Sequence, residues 1–311
     1  MERQLELSGN GPLADQLVAA FGTMLSEARG QAKAAAEGPG PALHDYRRAV
    51  RRAEAVLDLT RPMLRKYPRN IIAAGLSRAT RKTRTLRDLD AVRPSLAKLA
   101  EAELDPRYAD ALAALKRYLE AAAAELAGTE ITAWRLRKNV RALAGLDDAF
   151  RAGLHNWVEP EMLLDRLRVH YKDVRNAYRQ ARESLTVGDL HAWRKAARTV
   201  RYQLELLKTT GDPALERLHV TFEKQVRQLG AVTDLVALAG IVADADPELL
   251  GVDPEPLVES LEGLVDQRAT TAFLDAEITF MTKPKAFAVP VALAPVAEAH
   301  TTNPNPDTTG T

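Results

Sequence analysis

The chain is predicted to be all-α, and three observations predict it. Its composition is 46% hydrophobic with only 5% aromatic residues, rich in Ala and Leu, which suits packed helices better than sheets. Apolar residues recur at helical spacing, as in Leu43, Tyr46, Val50, Ala53 and Leu57, which share one face. No segment alternates polar and apolar residues in the manner of a strand, and the β-branched residues are scattered. At 311 residues the chain suffices for one large domain or two medium ones.

The elements follow in order. Residues 1–12 read as irregular, and a helix over about 13–36 ends at the loop Gly38-Pro39-Gly40-Pro41. A second helix over 42–60 stops near Pro62. A third follows Pro68 and runs to about Val92 before Pro94. Shorter helices are expected near 95–103, 106–127 and 130–145, the last carrying Trp134, Arg135, Arg137, Lys138 and Arg141. The second half opens near Pro160 with a helix over 161–184. Thr186-Val187-Gly188-Asp189 is a turn, with Asp189 placed to cap a helix over 190–209. Gly211-Asp212-Pro213 interrupts the chain before a helix from 214 to about 240. Acidic, apolar helices fill 255–282. The Pro-, Ala- and Thr-rich stretch 283–311 reads as a disordered tail. The helical domain is therefore 13–282, in halves of about 13–150 and 160–282.

Composition excludes several chemistries. There is no cysteine, so disulfides, thiolate catalysis and Cys-ligated metals are absent. Met1–Glu6 lacks the apolar core of a signal peptide, and no run of about 18 apolar residues suggests a membrane span. The cytoplasm is the expected location. The net charge is only +1, but it is segregated. Residues 44–93 hold 14 Lys+Arg against 5 Asp+Glu, and 166–204 hold 10 against 3. Residues 235–282 hold 10 acids and the single base Arg268.

The basic blocks contain a stripe that occurs twice. His44 is followed by Arg47, Arg48, Arg51 and Arg52; His191 is followed by Arg194, Lys195, Arg198 and Arg201, then Tyr202. Each places His at i and cations at i+3, i+4 and i+7, which share a face at about 100° per residue. Cations ~5 Å apart repel by about 3 kcal/mol at an effective dielectric near 20. Folding alone gives no reason to stack them; a polyanion does. Arg78, Arg81 and Lys82 extend the first block, and Arg168, Tyr171, Lys172, Arg175 and Arg179 begin the second, with Lys224 downstream. Arg dominates, and its planar fork binds two phosphate oxygens at once. The two stripes lie 147 residues apart, and Arg87-Asp88-Leu89 has a counterpart 146 residues on in Thr233-Asp234-Leu235. A nearly constant offset suggests a duplicated helical unit.

Four motifs in order resemble those of the CHAD domain family (conserved histidine α-helical domain). They are Leu43-His44-x-x-Arg47-x-x-x-Arg51-Arg52, then Arg87-Asp88-Leu89-Asp90, then Leu190-His191-x-x-Arg194-Lys195-x-x-Arg198-x-x-Arg201-Tyr202, and finally Phe222-Glu223-Lys224-Gln225-x-x-x-Leu229-Gly230-x-x-x-Asp234. By their order and spacing the resemblance covers about 13–270. The resemblance implies two pseudo-symmetric four-helix bundles around a basic groove or pore. It also implies inorganic polyphosphate as ligand and location at polyphosphate granules, with granule proteins as further partners. Some relatives carry a triphosphate-tunnel domain with a Glu-x-Glu-x-Lys signature, and this chain has no such run. The first stripe has Glu54 where the second has Arg201, so the halves are expected to contribute unequally.

Other readings stand beside this one. His44 and His191 fit either phosphate donors or helix-packing imidazoles; a metal site is disfavoured because an Arg cluster repels a dication. Asp88, Asp90 and Asp234 are read as braces for neighbouring arginines rather than acid-base groups or Mg²⁺ ligands. Tyr171, Tyr178 and Tyr202 fit hydroxyl donors or packing, and Trp134, Trp157 and Trp193 fit core or interface. No phosphate-binding Gly loop, nucleophile elbow or His-Glu-x-x-His helix occurs, so a non-enzymatic protein without cofactor is expected. A polyphosphate phosphotransferase or hydrolase with His44 or His191 as phosphoryl acceptor is the lesser alternative. A nucleic-acid-binding helical protein is the first alternative, which the basic helices allow; against it stand the near-neutral total and the absence of a reading motif or an exposed aromatic platform.

Overall fold

Periodic apolar faces become helices along the whole described chain. The computed structural model describes residues 7, 11–37, 42–81, 104–127, 130–208 and 212–284. The helices are α1 (Leu13–Glu37), α2 (Ala42–Leu59), α3 (Lys66–Arg81), α4 (Ala109–Ala127), α5 (Glu130–Ala142), α6 (Leu146–Gly153), α7 (Pro160–Ser184), α8 (Val187–Leu207), α9 (Pro213–Ala243), the single turn α10 (Pro247–Leu250) and α11 (Pro254–Met281). The extended structure among the described residues is one antiparallel bridge, Leu64 to Leu154. The short α6 was not anticipated from the sequence. The expected helix over 95–103, the Arg87–Asp90 motif and the tail from 285 lie outside the described residues.

Helix starts follow a recurrent Asp-Pro device. Asp212, Asp246 and Asp253 cap α9, α10 and α11, each accepting from the backbone N–H two residues on, with Pro at the first helical position. The α8 start differs from expectation. Thr186 is the cap, its Oγ1 accepting from Asp189 N at 3.2 Å. The Asp189 carboxylate instead accepts from the Ser184 and Thr186 hydroxyls at 2.6 and 2.9 Å, which hold it below the usual carboxylate range, Ser184 foremost.

Two helix pairs repeat one burial pattern. Leu17, Val18, Phe21, Met24, Leu25, Ala28, Ala32 and Ala35 of α1 are buried. So are the α7 residues 146 further on: Leu163, Leu164, Leu167, His170, Tyr171, Val174, Tyr178 and Ala181. In the same way Tyr46, Val50, Ala53, Ala55, Val56, Leu57 and Leu59 of α2 match Trp193, Ala197, Val200, Tyr202, Gln203, Leu204 and Leu206 of α8 at an offset of 147. α1 packs along α2 and α7 along α8, and α2 packs against α8.

The core does not divide at the sequence midpoint. One cluster joins α1–α3 and α5–α8 with the first part of α9 and the end of α11. A second joins Tyr108 and the α4 residues Leu112, Leu115 and Leu119 to Leu235, Leu238 and Val242 of α9 and Leu257 and Leu261 of α11. The first half of the sequence thus lends α4 to the second. By length and composition α9 is, among the described helices, apolar enough to cross a membrane; here its apolar residues pack against α8 and α11.

A buried ion cluster locks α2 to its neighbours. Arg52 is 6% exposed; its guanidinium bonds Glu205 of α8 and lies 3.5 Å from Glu27 of α1. Beside it Gln203 of α8 donates to the Ala55 carbonyl of α2 at 3.1 Å. Removing one partner strands a buried charge. Glu205→Ala is expected to destabilise by about 3–5 kcal/mol, whereas replacing both partners, Arg52→Met with Glu205→Leu, costs far less. Urea unfolding of the two variants checks this.

Candidate functional site

The crossing of α2 and α8, with α3 alongside, leaves a cleft of about 280 Å³. Arg51, Glu54, Ala55, Leu57 and Asp58 of α2 line it, with Ala73 and Leu76 of α3 and Lys195, Arg198, Thr199 and Tyr202 of α8. Cations of both stripes therefore reach one cavity from positions 147 residues apart. Its floor is apolar: Ala55, Leu57, Leu76 and Tyr202 are buried. Its charged rim is three cations against two carboxylates.

The remaining residues of the predicted site divide by place. His44 is exposed, and Arg47, Arg48, His191 and Arg194 are half-buried; none lines the cleft. Arg48 lies 3.3 Å from Asp45 in its own helix. Arg194 bonds Thr233 and lies 3.4 Å from Asp234. Gly230 makes room for it, since a Cβ there would stand 3.2 Å from the guanidinium. The Gly230 and Asp234 of the fourth motif thus seat the arginine of the third. Arg201 lies 3.2 Å from Glu223 and 5.2 Å above the Tyr202 ring. Arg78 is exposed, its Nε on the Ala74 carbonyl of its own helix at 3.1 Å. The Arg81 side chain and Lys82 lie outside the described residues.

Two predicted ligands have other work. Arg52 is buried in the ion cluster, because its position on the α2 stripe faces α1 and α8 rather than the cleft. Tyr171 is fully buried, with its hydroxyl 2.8 and 2.9 Å from the Thr279 and Thr282 carbonyls. The rest of the α7 group also sits away from the cleft. Arg175 Nε donates to the Phe280 carbonyl at 2.9 Å. Arg168 pairs with Asp165, Lys172 is exposed, and Arg179 lines a shallower hollow against α11 with Arg182 and Glu277. Lys224 is 2.8 Å from Asp275 of α11. Acidic α11 therefore occupies part of the basic surface that α7 and α9 present.

Sequence reasoning missed Asp58 and Thr199 as lining residues. The signal was available, for Arg51, Glu54, Ala55 and Asp58 continue the first stripe by two turns. It also placed Trp134 and Trp157 in core or interface; both are about half exposed, and Trp193 alone of the three is fully buried. Among the described residues no group of three or more His, Asp or Glu side chains could hold a metal ion.

Burial dominates the electrostatics of the cleft. It pushes the Glu54 carboxyl above the usual glutamate range, opposed by Arg51, Arg198 and Lys195 and reinforced by Asp58. His170, behind the cleft, shares a 2.8 Å hydrogen bond with Gln203, and burial pulls it below the usual histidine value.

The family model of the CHAD domain matches residues 19–243. The crystal structure of the CHAD domain from the plant Ricinus communis superposes with a TM-score of 0.64 at 20% identity, covering 90% of this chain and 94% of that one. At that identity the likeness is one of fold. No curated protein matches the chain.

The raised Glu54 has a stability consequence. A carboxyl protonated more readily in the folded than in the unfolded state contributes stability at low pH, which is lost as pH rises through its folded value. Glu54→Gln is expected to stabilise the protein at neutral pH, with the gain shrinking as pH falls toward the ordinary glutamate range. Denaturant midpoints of the two proteins across that range test it; an advantage for Glu54→Gln that is constant with pH overturns it.

Proposed function

The chain belongs to the CHAD domain family, and from that premise we propose that it binds inorganic polyphosphate without transforming it, in the cleft between α2 and α8. One observation carries the reading: Arg51, Lys195 and Arg198, drawn from both stripes, line a single cavity. The paired burial of α1 with α7 and of α2 with α8 supports descent from a duplicated helical unit, the first stripe being the weaker copy because it has Glu54 at the position that corresponds to Arg201. A pair of four-helix bundles, a pore and association with polyphosphate granules in the cytoplasm belong to the same reading.

The chemistry is that of a receptor. Polyphosphate offers acceptor oxygens along its whole length and no bases, so an array of fixed cations suffices. Each charge-assisted hydrogen bond contributes roughly 1.5–3 kcal/mol. Asp234 and Glu223 orient Arg194 and Arg201 at the edges of the array. Glu54 and Asp58 keep the empty cleft from being uniformly cationic, so ligand entry opposes two carboxylates. Protonating Glu54 removes one of them, and affinity rises as pH falls from neutrality.

Long-chain polyphosphate is expected to raise the melting temperature at low salt, with an affinity that weakens steeply as salt is added. Arg51→Gln and Arg198→Gln each weaken binding by about tenfold or more, while Arg168→Gln leaves it nearly unchanged. Incubation with polyphosphate and Mg²⁺ releases no phosphate. Absence of a thermal shift, or equal affinity of the Arg198 and Arg168 variants, overturns the assignment; phosphate release moves it to a hydrolase.

A further inference from the structure

Helix α5 carries the stripe spacing a third time, with an aromatic residue in the place of histidine. Trp134 is followed by Arg137, Lys138 and Arg141, at i, i+3, i+4 and i+7. The fold turns the opposite side of this helix inward. Thr132, Leu136 and Asn139 are buried, and Asn139 Nδ2 donates to the Ala79 carbonyl at 3.2 Å. Trp134, Arg137, Lys138 and Arg141 are all exposed as a result. Trp134 keeps 50% of its surface accessible, with Lys138 Nζ 3.8 Å from its ring centroid. Among the described residues no carboxylate pairs with any of the three cations. In sequence Glu130, one turn before Trp134 at the helix start, is the one acid in α5.

Like charges stacked on a solvent-facing helix repel, and among the described residues no carboxylate is paired with these. Three ligand chemistries suit such a row unequally. Polyphosphate satisfies the cations and leaves the indole idle. An anionic membrane demands more apolar surface than one ring, and Trp134 is the one exposed large hydrophobic residue among those described in α5. Single-stranded nucleic acid uses both parts, its phosphates along the cations and a base against the indole. The aromatic platform that the sequence gave no reason to expect on the surface is Trp134.

We propose that the outward face of α5 is a contact for single-stranded nucleic acid, separate from the α2–α8 cleft. The inference does not rest on the polyphosphate assignment, since no α5 residue lines that cleft. The test uses the full chain and a fluorescent single-stranded oligonucleotide of mixed sequence, read by anisotropy at low salt. Trp134→Ala is expected to weaken binding by about tenfold, with Trp134→Phe restoring most of it, because stacking needs an aromatic face and not an indole. The triple variant Arg137→Gln, Lys138→Gln, Arg141→Gln weakens it further and lowers the slope of log affinity against log salt by about 2. All these side chains are exposed, so the variants keep the parent melting temperature, and a shift of that temperature in any one is controlled by the conservative Phe variant.

Four results overturn the proposal. The parent fails to bind the oligonucleotide. Binding is lost with Arg198→Gln and kept in the α5 variants, which puts the strand in the cleft. Trp134→Ala binds as well as Trp134→Phe while the charge variant fails, which leaves a simple polyanion patch. The α5 variants lose binding to phosphatidylserine vesicles and retain the oligonucleotide, which makes the face a membrane contact.

Discussion

The arrangement of this protein depends on the guanidinium of Arg52. It projects from α2 between Glu27 of α1 and Glu205 of α8 in a site nearly closed to solvent. A buried cation tolerates few positions, since desolvation is recovered only when the carboxylates stay in reach. The Gln203 bond to the Ala55 carbonyl fixes the same crossing with a neutral contact. Together they set the register of α2 on α8, and register decides which side chains share the cleft. A shift of α2 by one residue would turn Arg51 away by about 100°.

The other charged contacts sort the basic surface into parts. Asp234 and Glu223 hold Arg194 and Arg201 beside the cleft. Glu277 and Asp275 of α11 meet Arg182 and Lys224, while α11 carbonyls take Arg175 and Tyr171. The excess acid of residues 235–282 is thus partly spent on the basic block of α7 and the middle of α9. What reaches the cavity is a small set, Arg51, Lys195 and Arg198, tempered by Glu54 and Asp58. A cleft of this kind is tuned by its carboxylates as much as by its cations, and burial of Glu54 makes that tuning responsive to protons.

Much of this was legible in the sequence, and the parts that were not share a cause. The boundaries of α1, α2, α7 and α11 fall within a residue or so of the periodic segments, since Pro and Asp-Pro steps punctuate them. The family was legible from four ordered motifs. Asp189 was misread because an Asp at the third helical position looks like the cap of a helix starting one turn later, and Thr186 holds that role. Arg52 was read as a ligand because it belongs to the first stripe, and Tyr171 because it shares a helix face with Arg168 and Arg175. Trp134 was read as core or interface because an aromatic ring is usually buried, though the residues that follow it at helical spacing, Arg137, Lys138 and Arg141, are all cations.

By itself the sequence determined the long helices, the spacing of cations along each, and the offset of 146–147 that relates the two pairs. Those are properties of a 3.6-residue period, which fixes the angle of each side chain about its own axis. The tertiary structure decided which faces meet. It drew Arg51 and Arg198 to one cavity, buried Arg52, lent α4 to the partner half and left the α5 stripe facing water. Such choices depend on packing between segments far apart in the chain, and no local period encodes the partner that a face will find.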